Sequence, residues 1–101
     1  MSPEEQQGLA IFATHGVADS ASTIYGAATV GIGAEANPIM ATLLQQGWGF
    51  AAGTMLLVTG LVAVVYPSLA RAGDIPHWFG YGLAAVGLVI AVINVVVGVT
   101  A

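Results

Sequence analysis

The chain has 101 residues, 57% of them hydrophobic and 6% charged, with a net charge of −4. A soluble domain carries roughly 25% charged residues, so most of this surface must meet something other than water. With Arg71 as the single Lys or Arg and no cysteine, the sequence excludes an electrostatic nucleic-acid interface, a polybasic lipid anchor, disulfides and thiolate chemistry.

The chain opens on Ser2-Pro3-Glu4-Glu5. That segment is acidic where a cleavable signal is basic, so the first apolar segment is expected to be retained. It runs over residues 8–32, long enough for a hydrocarbon core of about 30 Å, which needs roughly 20 helical residues. It is the least apolar of the long segments. His15, Asp19, Ser22, Gly26, Thr29 and Gly33 recur at 4-3-4-3-4 spacing, which places them on one helix face. Ser20 and Thr23 widen that polar side.

Asn37 is a good N-cap and Pro38 a good first helical residue. A short helix over 38–46 is expected, with Ile39, Met40, Leu43 and Leu44 on an apolar side that lies in the interface. Gly47 would end it, and Trp48 suits the headgroup level. The rival reading runs this helix straight into the next span.

The second span, residues 50–70, has no charge and a weak stripe of Ala52, Leu56, Thr59, Ala63 and Tyr66. Pro67 is expected to kink or end it. The third span, 77–99, begins with an aromatic anchor of Trp78, Phe79 and Tyr81. Its small-residue stripe is Gly80, Ala84, Gly87, Ala91, Asn94 and Gly98. Small faces let helix backbones approach closely in lipid. Strands are rejected for these apolar runs, because an isolated strand would leave its backbone groups unpaired in lipid.

The expected architecture is a single all-α membrane domain over 1–101, with three transmembrane helices and a short interfacial helix after the first. The first and third spans then run in the same direction, and Asn94 falls near the level of Thr23 to Gly26. Counting positive charge on Arg71 alone favours N-in, C-out.

Asp19 lies near the middle of the first span, where an ionised carboxylate costs roughly 2.5–3.5 kcal/mol on insertion scales. One reading makes it structural, accepting hydrogen bonds from Thr23, Ser22 or Asn94 and fixing helix register. A second makes His15, Asp19, Glu35 and Asn37 an N/O set for a proton or a cation. A third is catalysis by Ser20 or Ser22 with His15. It lacks a third orienting group, and no hydrolase, metalloprotease or phosphate-loop motif is present.

The pattern Asp19-x-x-x-Thr23, followed by Glu35-x-Asn37-Pro38, resembles a family of small archaeal and bacterial membrane proteins described only as a domain of unknown function. The resemblance covers about a third of the chain, implies further apolar helices, and carries no activity. His15 lies outside that pattern.

The functional expectation is therefore a small structural or accessory membrane subunit. It would pack with itself or a larger assembly in a cell membrane or the internal membrane of a virus. An ion- or proton-conducting oligomer using Asp19 is the alternative. No enzyme activity, cofactor or metal is expected. The acid excess and absent Lys suggest a halophile.

Overall fold

In a computed structural model of the chain, residues 1–35 and 37–100 are described, and they are helical almost throughout. Helix α1 spans Pro3–Ile11 and α2 spans Asp19–Val30, joined without a break by a π-helical segment, Phe12–Ala18. Helix α3 is Pro38–Gln45, α4 is Trp48–Ala72 and α5 is His77–Thr100. The long axis measures 42 Å, close to the thickness of a bilayer with its headgroups, about 40–45 Å.

Each boundary has a local cause. Ser2 and Glu5 form a capping box, and Pro3 sits at the first helical position. The α1–α2 helix stops at Gly31, whose φ of +105° is outside the range of ordinary side chains. Gly33 thus falls in a 3-10 turn, Ile32–Ala34, and the polar stripe ends at Thr29. Asn37 accepts from the amides of Ile39 and Met40, and Pro38 follows it into α3. Gly47, at φ +128°, then breaks α3 from α4, so the two helices do not merge.

Pro67 does not end α4, which runs on to Ala72. The ring is buried against α1. Proline has no N–H for the carbonyl one turn back, so Ala63 O is left free. That oxygen faces Gly8, where an added Cβ would lie 2.7 Å from it. Glycine lets the two backbones touch, with a Cα–H directed at an unspent carbonyl.

Of the three long helical rods, α4 and α5 each pack against the first rod rather than against each other. α1 meets the end of α4 and the start of α5, and α2 lies along the second half of α5. α4 is antiparallel to α1, and α5 is parallel to the whole first rod. The buried faces are small. On α5 they are Gly80, Ala84, Gly87, Ala91 and Gly98, and on α4 Ala51, Met55, Tyr66, Pro67 and Ala70. Of the stripe read on α4, Tyr66 is buried and Ala52, Thr59 and Ala63 are half-buried, while Leu56 is exposed and its neighbour Met55 is buried instead. A cluster of Ile11, Tyr66 and Ala70 closes one end, and Ala27, Leu44 and Ala51 close the other.

The large apolar side chains point outward. Leu57 is 64% exposed, Val64 76% and Val89 57%. α4 and α5 are each long and apolar enough to cross a membrane, and only 11% and 22% of their apolar windows are buried. A core helix of a soluble protein would show the reverse.

At the N-terminal end the Glu4 carboxylate lies 3.4 Å from His77 Nε2 and 3.9 Å from Arg71 Nη1. Hydrogen bonding to its own backbone amide, then the nearby His77, holds the Glu4 carboxyl below its ordinary value of 4.5. A depressed folded value means the tie is fully present above the ordinary value and lost as pH falls through the folded one. The unfolding midpoint of the wild type is therefore expected to fall slightly more than that of Glu4→Gln across that acid window. Parallel midpoints would mean that Glu4 ties nothing. The effect is small because the pair is near water.

Candidate polar site

The π segment positions the site. Thr14 Oγ1 donates to the carbonyls of Ala10 (2.9 Å) and Ile11 (3.3 Å), drawing on acceptors of the ordinary helical ladder. Such π segments are found often at functional sites. His15 lies inside the segment and Asp19 just after it.

Asp19, Ser22, Thr23 and Asn94 come together. Asn94 Nδ2 lies 3.3 Å from Asp19 Oδ1, 3.2 Å from Ser22 Oγ and 3.3 Å from Thr23 Oγ1. Thr23 donates to Asp19 Oδ1 at 3.3 Å, and Ser22 donates to the Asp19 carbonyl at 3.1 Å. Ser22 is 4% exposed and Thr23 5%. One amide nitrogen with two hydrogens therefore faces three oxygens. Gly26 lies at the same level, against the Asn94 backbone.

His15 is not part of this cluster. Its Nε2 is 2.6 Å from the carbonyl of Leu83. A carbonyl only accepts, so Nε2 carries the hydrogen. The ring lies on Gly87, where an added Cβ would come 2.7 Å from Cδ2. His15 and Asp19 lie one turn apart on the first rod, but their side chains go to different partners, the Leu83 carbonyl and Asn94. They make no hydrogen bond to each other, and neither Ser20 nor Ser22 bonds to His15. Asn37 is spent on capping α3, and Glu35 Oε1 accepts from the Asn37 amide at 3.1 Å. Among the described residues, no three His, Asp or Glu side chains gather as a metal cluster.

The α5 glycines act as sockets for the first rod. Gly80 receives Gln7 and Tyr66, Gly87 receives His15, and Gly98 receives Tyr25 and Thr29. Gln7 is the residue that the sequence reading omits. It is 1% exposed, and its Oε1 accepts from the Tyr66 hydroxyl at 3.0 Å. Its signal was available, one turn before Ile11 on the face that leads to His15. The Nε2 of Gln7 and the hydroxyl of Ser20 are buried with no hydrogen-bond partner.

A cleft of about 220 Å³ opens beside the cluster, lined by Ser22, Thr23, Glu35 and Asn94 with apolar walls of Ile93 and Val97.

Among known proteins, the family described as Domain of unknown function (DUF5658) matches residues 10–100. No curated protein and no solved structure matches the chain.

Proposed function

This chain belongs to the DUF5658 family, a domain of unknown function, and on that premise we propose that it is a small integral membrane subunit with a structural or accessory role. It crosses the bilayer three times, with α1–α2 as the first span, α3 in the interface, and α4 and α5 as the second and third. The outward apolar faces of α4 and α5 support this, as does a first rod of roughly 40 Å at 1.5 Å per residue. The N-terminus and the Arg71 turn lie on the inner side.

The observation that carries the reading is the Asn94 amide seated on Asp19, Ser22 and Thr23. The intramembrane carboxylate is engaged in joining two helices. Intramembrane hydrogen bonds average about 0.6 kcal/mol each, so their value lies in fixing register as much as in strength. A bundle with so little buried apolar surface then gains from packing with further helices, of its own kind or of a larger assembly.

Native mass spectrometry in mild detergent tests this. A defined homo- or heteromeric assembly is expected, and Asp19→Asn should leave its stoichiometry unchanged because an amide still hydrogen-bonds Asn94. If reconstituted vesicles carried an ion flux that Asp19→Asn abolished with the assembly intact, conduction would replace the structural role.

A further inference from the structure

We propose that the groove between α1 and α4 seats one acyl chain of a zwitterionic phospholipid, whose ammonium is held by Glu5 and whose phosphate is held by Arg71. The inference rests on the reading that the first rod and α4 cross the bilayer.

The first argument is the groove itself. It holds about 510 Å³, within the roughly 300–1,000 Å³ of small-molecule sites. Leu9 and Phe12 line it from α1, and Gly60, Val64 and Pro67 from α4. The three α4 residues follow at 4-3 spacing and share one helix face. A glycine and a ring-closed proline on that face leave space that longer side chains would fill. Phe12 stands at the inner end, 3.7 Å from where a Gly60 Cβ would lie. Glu5 is the one polar side chain of the lining, so a hydrocarbon chain finds dispersion contacts along the whole inner part.

The second is the pair of charges at the outer end. Glu5 precedes Phe12 by two turns, roughly 10 Å at 1.5 Å per residue. Arg71 continues the α4 face one turn beyond Pro67, close enough for its charge to act on Glu5. A carboxylate and a guanidinium thus stand on opposite walls of one mouth. Glu5 is exposed and makes no ion pair among the described residues. One of its oxygens accepts from the Ser2 amide at 3.2 Å, and the other is open to a ligand. Arg71 meets Glu4 only at 3.9 Å, with its side chain 53% exposed. Its planar fork suits a phosphate.

The third is selection by sign. Arg71 is the single Lys or Arg of the chain, and Glu4 and Glu5 stand beside it. A headgroup of net negative charge meets two carboxylates for one guanidinium. A headgroup with an ammonium next to its phosphate meets a partner for each. A primary ammonium also donates hydrogen bonds to Glu5, which a quaternary amine cannot do. The chemistry therefore fits a phosphoethanolamine lipid.

The test is native mass spectrometry of the full chain in mild detergent, after incubation with equal amounts of dioleoyl phosphatidylethanolamine, phosphatidylglycerol and diacylglycerol. One phosphatidylethanolamine is expected to be retained several-fold over either competitor. Glu5→Gln, at an exposed side chain, should bring it to parity with phosphatidylglycerol. Arg71→Gln should bring it down to the level of diacylglycerol. Gly60→Leu fills the groove and should release all three, with helical content unchanged by circular dichroism. Equal retention of the three lipids by the wild type, a preference that survives Glu5→Gln, or retention that survives Gly60→Leu would overturn the site. Washing membranes of the expressing cells with alkaline carbonate separates this inference from the reading beneath it. A chain that stays in the membrane yet shows no lipid preference overturns the site alone, and a chain that washes off overturns both.

Discussion

Asn94→Leu is expected to destabilise the fold by about 2–4 kcal/mol, as the polar contacts that join α2 to α5 are lost and the half-buried Asp19 carboxyl is stripped of its amide donor. Leucine is close to asparagine in size and suits the hydrocarbon, so hydropathy alone would forecast a gain. The geometry argues otherwise. Asp19 Oδ1 has two side-chain donors, Thr23 Oγ1 and Asn94 Nδ2, and the variant removes the one that comes from another helix. Ser22 and Thr23 lose an interhelical donor at the same time. Asp19→Leu should cost a similar amount, since it leaves the Asn94 amide facing apolar surroundings. Asp19→Asn should stay within about 1 kcal/mol, because an amide retains an acceptor for Asn94 without the cost of a buried charge. Steric trapping in bicelles measures all three. A neutral Asn94→Leu, or an Asp19→Asn as damaging as Asp19→Leu, would show that the cluster does not hold α2 to α5.

The sequence displays this contact unevenly. Helix placement follows from local chemistry that needs no partner: Asn37-Pro38 starts α3, and Gly47 stops it. The face of α5 is legible for a similar reason. Small residues recur at one spacing from Gly80 to Gly98, and in lipid a small residue is the one that lets a neighbouring backbone in. The buried residues of α5 are drawn from that set. The first rod is harder. A uniform helix puts His15 and Asp19 on one line, and the structure gives them different partners, His15 the Leu83 carbonyl and Asp19 the Asn94 amide. Nothing in residue type marks the π segment Phe12–Ala18, since the Thr14 back-bond within it is also made by Thr29, Thr42, Thr59 and Thr100 in ordinary α-helix. Gln7 shares the face of Ile11 and His15, but at the edge of the apolar run that spacing alone does not separate a buried polar residue from an interfacial one. Its burial depends on Tyr66 and Gly80 arriving from two other helices. Leu56 misleads on α4 because hydrophobicity does not separate a lipid-facing leucine from a packed one.

The second large effect concerns Gly8. Gly8→Ala should destabilise the bundle by about 1–3 kcal/mol, the usual range for overpacking, whereas Gly53→Ala on α4 should be neutral or stabilising by up to about 1 kcal/mol. Both replace a helical glycine with a better helix former, so intrinsic propensity favours both. They differ in what the new methyl meets. At Gly53 nothing lies within 4 Å. At Gly8 the methyl would come 2.7 Å from Ala63 O, a backbone atom that no rotamer change can move. α1 must then retreat from α4, and Gln7 is drawn away from Tyr66. Gly87→Ala makes a useful intermediate, since its methyl would meet the His15 ring, a side chain that can swing aside. Unfolding of the three variants in one detergent should therefore rank Gly8→Ala lowest, Gly87→Ala next and Gly53→Ala highest. A stable Gly8→Ala would mean that α1 and α4 do not meet at Ala63. The free carbonyl left by Pro67 would then need another partner. Should the ranking hold, the same proline that looks like a helix breaker in the sequence lies one turn after the carbonyl that meets the α1 backbone at Gly8.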